Sequence, residues 1–242
     1  KKNIISTLKS SVELKEKNPF LKNTVKSDET QIINILRSNG YYFSKVESEI
    51  KNNDNYTVDL IYNIDLGKKA HIKKIKFIGD KKFKDGKLRN IIVSEETKFW
   101  KFISNKKFLD INRISLDKKL LKSYYKNRGF YNVKIESASA QVTGDDNFEL
   151  IFNINAGKKY YFNNLNLNFP SDFSENEFSG ITSSLNKLKG EIYSLKKINS
   201  ILKEIDKLLL SSDYSFFNAT YSENLYENKL DLTINLTESE KQ

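Results

Sequence analysis

The chain has 242 residues, of which 38% are hydrophobic and 12% aromatic, so it carries enough apolar side chain to build folded cores. It has a formal net charge of +10 and no cysteine, which excludes disulfides, thiolate metal sites and thiol nucleophiles. No window approaches 18 consecutive apolar residues. Because no methionine occurs, even at position 1, we expect the sequence to be an excised piece of a longer protein.

The chain begins with a helix predicted over residues 4–14, and a second helix is predicted to follow Ser27, whose hydroxyl can cap a helix start. Strand-like alternation comes after Asn39-Gly40-Tyr41-Tyr42 and stops at Gly67-Lys68-Lys69. No strand is recognisable before the first helix. We therefore predict a first module over residues 1–67 that lacks its first strand.

The next stretch contains a full set of elements. They are, in chain order, a strand over 70–78, a short helix over 85–93, an aromatic loop containing Phe99, Trp100 and Phe102, a longer helix ended by Gly129, and two strands over 132–142 and 147–156. The Thr143-Gly144-Asp145-Asp146 cluster favours a hairpin between the two strands. The order β-α-α-β-β predicts a complete module over residues 68–157.

The pattern is an internal repeat. Arg128-Gly129-Phe130-Tyr131 resembles Asn39-Gly40-Tyr41-Tyr42 at an offset of 89 residues, and Gly157-Lys158-Lys159 resembles Gly67-Lys68-Lys69 at an offset of 90. A third copy is predicted over residues 158–242. Its second helix shows an apolar stripe after Ser194, and its closing strands are predicted over 213–221 and 230–236. The fold class is α+β, with tandem modules that each place two helices on one face of a three-stranded mixed sheet.

A tandem unit of this order, with its second helix running into Gly-aromatic and its last strand ending at Gly before the next unit, resembles POTRA modules. Two stretches resemble those of outer-membrane assembly factors of the BamA type. Trp100 to Gly129 is similar to the third module, and Gly190-Glu-Ile-Tyr-Ser-Leu-Lys-Lys-Ile198 is similar to the fourth. On that resemblance, residues 1–67 correspond to a second module.

The resemblance implies a periplasmic arm beneath an outer-membrane β-barrel that binds and guides unfolded outer-membrane proteins. The implied partners are these client proteins, other proteins of the assembly complex, and the chain's own C-terminal barrel outside this sequence. The arm of a related translocation or secretion pore is an alternative of the same fold.

Enzymatic chemistry is not expected. His71 is the only histidine and has no adjacent acid, and the paired acids Glu95-Glu96 and Asp145-Asp146 fall at a helix end and in a turn. The sequence has no glycine-rich phosphate loop and no cluster of metal ligands. We therefore expect no catalytic residue, no cofactor and no metal.

The positive charge is concentrated in residues 68–107. An anionic partner, either lipid headgroups of a membrane surface or an acidic companion protein, is predicted to bind a basic face formed by an exposed His71 and by Lys73, Lys74, Lys76, Lys81 and Lys82. Lysines that only maintain solubility are the alternative. A nucleic-acid-binding tandem module is another, because Phe77, Phe83, Phe99 and Trp100 lie among the lysines. Without a GXXG loop or RRM aromatics, nucleic acid is not the expected partner.

The strand over 132–142 carries small and polar residues, whereas the next strand alternates as a central strand would, so the first is predicted to lie at a sheet edge. We predict that extended client segments add to this edge through backbone hydrogen bonds. The edge residues are Asn132, Val133, Lys134, Ile135, Glu136, Ser137, Ala138, Ser139 and Ala140. Residues 46–52 and 216–222 are the predicted equivalents, and Gly67 and Gly157 the predicted module junctions. An edge that is only solvated is the alternative.

Overall fold

The computed structural model describes residues 2–54, 56–98, 105–144, 146–170, 173–211 and 216–238. The chain divides into two compact units. The first comprises Lys1–Ile78, Phe83–Lys119 and Ser137–Asn153, and the second comprises Gly79–Lys82, Leu120–Glu136 and Ile154–Gln242. The predicted aromatic loop with Phe99, Trp100 and Phe102 lies outside the described residues.

The helices and strands confirm the predicted α+β class and its three tandem modules. They are, in chain order, α1 (Lys2–Ser11), α2 (Lys22–Ser38), β1 (Lys45–Asn52), β2 (Val58–Asp65), β3 (His71–Asp80), α3 (Asp85–Arg89), a 3-10 turn (Asn105–Lys107), α4 (Ile111–Lys126), β4 (Lys134–Val142), β5 (Asn147–Asn155), β6 (Tyr161–Asn168), α5 (Ser179–Leu188), α6 (Leu195–Ser211), β7 (Phe217–Tyr226) and β8 (Lys229–Glu238).

The two complete repeats share one strand order, in which the last strand of the repeat is central. The sheets run β3-β5-β4 and β6-β8-β7, while the described residues of the first repeat form the two-stranded sheet β1-β2. In the third repeat β6 pairs with β8 in parallel and β7 pairs with β8 in antiparallel fashion. The central strands therefore have neighbours on both sides, and β4 and β7 are each the last strand of their sheet.

Central strands and second helices supply the core. Phe148, Leu150, Phe152 and Ile154 alternate into the buried face of β5, as the sequence predicts. In α6 the buried residues are Ile198, Ile201, Ile205 and Leu209. They recur at three and four residues and so form one helical stripe against the sheet. The predicted stripe is thus largely correct, with Leu195 and Leu202 only half-buried at its margin.

The start of α2 differs from the prediction. The helix begins at Lys22, so Ser27 lies inside it and caps nothing. Asp28 is fully buried, and its carboxylate accepts the N–H groups of Glu13 (2.7 Å) and Leu14 (3.1 Å) and the hydroxyl of Tyr62 (3.0 Å). Burial, followed by this hydrogen bond to Asp28, raises the pKa of Tyr62. Aspartate is common at helix starts, but here Asp28 lies inside a helix and holds the loop between α1 and α2 by hydrogen bonds.

The second repeat uses the same device. Asp117, 89 residues after Asp28, is also fully buried, on α4. It accepts the N–H of Val93 at 2.6 Å and that of Ser94 at 3.3 Å. Each carboxylate therefore satisfies the backbone of the segment between the two helices of its repeat. The matching position of the buried stripe in α6 holds Ile201.

Two glycines make a repeated backbone contact. The carbonyl oxygen of Gly40 accepts the N–H of Ala70, and that of Gly129 accepts the N–H of Tyr160, both at 2.8 Å. Gly129 has a φ of +95° and follows α4, in agreement with the predicted helix-ending glycine. A Cβ there would lie 2.7 Å from Cγ2 of Ile192. The Gly-aromatic motif of the sequence repeat is therefore conformationally restricted to glycine.

Candidate functional site

The outer edge of β4 is the candidate site, because β4 is the last strand of its sheet. Lys134, Glu136, Ser137 and Ser139 are exposed, and Ile135, Ala138 and Ala140 are half-buried. Two consecutive exposed residues, Glu136 and Ser137, interrupt the alternation of the strand. Small side chains follow this interruption and leave a surface of low relief beside the backbone.

Two of the predicted edge residues lie before the strand. Asn132 donates from Nδ2 to the hydroxyl of Tyr160 at 2.7 Å, and Val133 is buried with 3% of its surface exposed. β4 begins at Lys134. The stretch placed at the edge is thus shorter than predicted at its beginning, because Asn132 and Val133 are held by packing and a side-chain hydrogen bond.

The direction of the backbone groups in β4 follows from the hairpin. Thr143 donates its N–H to the carbonyl of Asn147 at 2.9 Å, so the N–H of Thr143 faces β5. Backbone direction alternates along an antiparallel strand. The N–H groups of Ser139 and Gln141 therefore also face β5, and those of Ala138 and Ala140 face outward. These two outward groups are the donors that an added strand would meet.

The opposite edge of the same sheet is closed by a side-chain pair. Ile75 of β3 donates its N–H to Oε1 of Glu96 at 2.9 Å, and its carbonyl accepts from Nη2 of Arg89 at 3.1 Å. Arg89 Nε lies 3.3 Å from Glu96 Oε1. The N–H of Thr97 also donates to the carbonyl of Ile72 at 2.8 Å. The pair offers β3 the acceptor and the donor that a peptide unit of a neighbouring strand would offer.

Main-chain pairing closes the corresponding edge of the third repeat. Phe162 donates its N–H to the carbonyl of Glu191 at 2.9 Å and accepts from Gly190 at 2.8 Å, while Tyr193 donates to Tyr160 at 3.0 Å. The hydroxyl of Tyr193 is buried. In β6, as in β3, the outer edge is therefore already hydrogen-bonded near the start of the strand.

The predicted equivalents of β4 are both terminal strands. Residues 46–52 lie in β1, and of the stretch 216–222 all but Phe216 lie in β7. In the third repeat, the edge strand β7 contains Glu223, whose carboxylate accepts a hydrogen bond from the hydroxyl of Tyr131 at 2.7 Å. Burial, and then this hydrogen bond, raise the pKa of Tyr131 to about 12.

The five predicted basic-face lysines do not share one environment. Lys73 and Lys74 are exposed on β3, whereas Nζ of Lys76 lies 2.7 Å from Glu149. Lys82 pairs with Asp80 at 2.7 Å, and the carbonyl of Lys81 accepts the hydroxyl of Tyr125. Of these five lysines, Lys73 and Lys74 are the adjacent pair that is exposed on β3.

His71 is half-buried, so the prediction of an exposed histidine was wrong. Its ring centroid lies 5.0 Å from that of Phe108, and burial lowers its pKa against the opposing effect of Asp146. Phe77 is buried and stacks on Phe152 at 5.5 Å, so it cannot stack on a nucleic-acid base. The aromatic argument for nucleic-acid binding therefore loses one of its residues, and Phe99 and Trp100 lie outside the described residues.

A family model decides the relationship. The model described as "POTRA: Surface antigen variable number repeat" matches residues 6–67, 70–157 and 160–239. The chain belongs to the POTRA family. The three matches coincide with the three copies found from the sequence repeat.

The similar proteins carry assembly-factor names. The chain is 21% identical over 189 residues to the outer membrane protein assembly factor BamA of Neorickettsia risticii, covering 78% of the chain and 25% of that protein. It is 25% identical over 135 residues to a putative outer membrane protein assembly factor of Treponema pallidum, covering 56% and 16%. The chain thus spans a quarter or less of the length of these relatives.

A solved structure shares the fold. The crystal structure of POTRA modules 3–5 of Haemophilus influenzae BamA superposes with a TM-score of 0.56 and 14% identity, covering 96% of this chain and 90% of that one. Within the described residues, no helix has the length and apolar character needed to cross a membrane. The same residues bring together no group of three or more potential metal ligands.

Proposed function

We propose that these POTRA modules form part of the periplasmic arm of an outer-membrane assembly factor. In this role they bind unfolded outer-membrane proteins and guide them toward a membrane barrel of the same protein. The names of the similar proteins support the process, and the three consecutive modules support an arm-like role. Other proteins of the assembly complex are further proposed partners of this arm. The arm binds and positions its clients and needs no catalysis or cofactor.

The binding mode that we propose is strand addition to β4. The observation that carries it is the asymmetry of the β3-β5-β4 sheet, whose β3 edge is hydrogen-bonded at Ile72 and Ile75, while the N–H groups of Ala138 and Ala140 in β4 face away from the sheet. Backbone hydrogen bonds recognise an extended chain with little regard for its side chains, which suits clients of diverse sequence. Lys134 and Glu136 place charges on this edge, which disfavours permanent edge-to-edge aggregation.

The affinity should be low. A backbone hydrogen bond contributes a net stabilisation of about 0.5–1.5 kcal/mol. The conformational entropy that an extended peptide loses on binding offsets part of the stabilisation from a few such bonds. A dissociation constant on the order of 1 mM, which corresponds to about 4 kcal/mol, is therefore expected for a single peptide and a single module. Weak binding at successive modules would still retain a long client without trapping it.

The test is an NMR titration of the full chain with a peptide of alternating apolar and polar residues taken from an outer-membrane strand. We expect shifts in residues 134–142. Ala140→Pro removes an outward N–H and should abolish these shifts, because proline is tolerated at an edge but cannot donate. Ala140→Ser keeps the donor and is the matched control. Absence of shifts in the parent chain, or shifts that survive Ala140→Pro, would refute strand addition to β4.

A further inference from the structure

We infer that two glutamates, Glu29 and Glu96, direct an incoming strand to β4 by occupying outward N–H groups of the neighbouring edge strands β1 and β3. This inference rests on the proposed function, since it names what selects the edge. Its basis is a glutamate that accepts an edge N–H in each of the first two repeats, together with a lysine of α4 at the position that matches Glu29.

The cap on β3 is an ion pair whose two side chains each hydrogen-bond to Ile75. Glu96 accepts the N–H of Ile75 at 2.9 Å, and Arg89 donates to the carbonyl of the same residue at 3.1 Å. Both backbone groups of one edge residue are thereby satisfied, and the two side chains are fixed by their own contact at 3.3 Å. A client strand would have to displace this pair and the Thr97 bond to Ile72 before it could form its first hydrogen bond with β3.

The cap on β1 comes from the second helix of the first repeat. Glu29 of α2 accepts the N–H of Ser48 at 3.0 Å. Asn53 donates to Thr57 across the hairpin, so the alternation of an antiparallel strand turns the N–H of Ser48 away from β2. Ser48 lies in the middle of β1, where the loss of one outward donor divides the edge into two short stretches.

The corresponding position in the second repeat has the opposite hydrogen-bonding character. Asp28 and Asp117 are the matching buried carboxylates of α2 and α4, so the residue after each of them also corresponds: Glu29 in α2 and Lys118 in α4. An ammonium group only donates hydrogen bonds and cannot accept a backbone N–H. α4 therefore carries a donor at the position where α2 supplies an acceptor to β1.

The third repeat fits the same scheme. Ile201 occupies the position of the buried carboxylates, and Leu202 follows it, so α6 also lacks a carboxylate there. Its first strand, β6, is closed by the main chain of residues 190–193 rather than by a glutamate. Each complete repeat thus closes its first strand and leaves the last strand of the sheet, β4 or β7, for an added chain.

The decisive experiment exchanges the two side chains. Lys118→Glu should place a carboxylate against β4 and weaken binding of the outer-membrane strand peptide at residues 134–142. The dissociation constant should rise by about fivefold or more, because one hydrogen bond contributes a net stabilisation of about 1 kcal/mol. Lys119→Glu, next to it on the exposed side of α4, makes the same charge change and should leave binding unaltered. Glu29→Lys should create new peptide shifts in residues 45–52. Unchanged binding by Lys118→Glu, or an equal loss in Lys119→Glu, would overturn the inference.

A second measurement separates this inference from the proposed function because it needs no peptide. Hydrogen exchange of the Ser48 amide in Glu29→Ala, and of the Ile75 amide in Glu96→Ala, should accelerate about fivefold. Glu29→Gln and Glu96→Gln keep a carbonyl acceptor and should retain most of the protection. Unchanged exchange in the folded alanine variants would refute the caps. Accelerated exchange in a chain whose residues 134–142 never respond to peptide would refute strand addition while leaving the caps in place.

Discussion

Replacing Asp117 with alanine should lower the stability of the second POTRA module more than any substitution of an exposed residue on α4. The carboxylate is fully buried and accepts the N–H groups of Val93 and Ser94. Leaving a buried donor unsatisfied costs about 1–3 kcal/mol, and alanine regains about 0.5 kcal/mol through its higher helix propensity. Two donors, Val93 and Ser94, lose their acceptor, so after this gain is subtracted the free energy of unfolding of this module should fall by about 2–4 kcal/mol.

The measurement is native-state hydrogen exchange on the full chain, because several modules in one chain violate a single two-state description. Amides of α4 and β5 should lose protection equivalent to about 2–4 kcal/mol, while those of α6 and β8 keep theirs. Thermal melting followed by circular dichroism should show the affected transition about 8 °C or more lower, since about 1 kcal/mol shifts a domain of this size by about 4–8 °C.

Two comparisons make the result specific. Lys119→Ala removes an exposed side chain from the same helix and should change the free energy of unfolding by less than about 0.5 kcal/mol. Asp28→Ala should reproduce the Asp117→Ala loss in the first module, where three donors reach the carboxylate. If Asp117→Ala changes stability no more than Lys119→Ala, the carboxylate does not hold the segment between α3 and α4 and this reasoning fails.

Three further outcomes follow from other contacts. In a urea titration, Gly129→Ala should lower the free energy of unfolding by about 1–3 kcal/mol, because the φ of Gly129 is +95° and a Cβ would meet a side chain at 2.7 Å. Gly180→Ala, with nothing near its Cβ position, should leave this free energy unchanged or raise it. The pKa of Asp231 is lowered because its carboxylate accepts a backbone N–H of β6. Its contribution to stability is therefore present above the pKa of the unfolded chain and is lost as the pH falls through the pKa of the folded chain. Melting temperatures measured between pH 2 and about 6 should show this loss in the parent chain, and Asp231→Asn should lack it. Replacing Lys73 and Lys74 together with glutamate should reduce binding to anionic vesicles in a salt-dependent way, and unchanged sedimentation with vesicles would leave these lysines only a role in solubility.

Periodicity predicted the regular elements well. The alternation of β5 and the stripe of α6 each repeat with the period of their backbone, so the buried face could be inferred from spacing alone. The ends of elements were less accurate: α3 ends at Arg89 rather than residue 93, and α1 ends at Ser11 rather than residue 14. α5, at Ser179–Leu188, is the first helix that the β-α-α-β-β order requires in the third repeat, but no bounds were predicted for it from the sequence.

Polar residues with tertiary partners were harder to interpret. Ser27-Asp28 has the composition of a helix start, but Asp28 is buried inside α2 because its partners come from the preceding loop and from β2. Nothing local distinguishes the two uses of an aspartate. The 89-residue repeat could have shown it, since Asp117 occupies the matching place in a helix whose start is elsewhere.

The edge caps show what a repeat pattern leaves undetermined. The two complete modules share one strand order and therefore the same two edges, yet an edge can accept a strand only where its outward N–H groups lack an acceptor. That property depends on contacts between distant elements, Glu29 with Ser48 and Glu96 with Ile75. Under the proposed selection of edges, one exchanged residue, Glu29 against Lys118, would be enough for two modules of one fold to differ in whether they accept a strand, so that binding could change from module to module while the architecture stays the same.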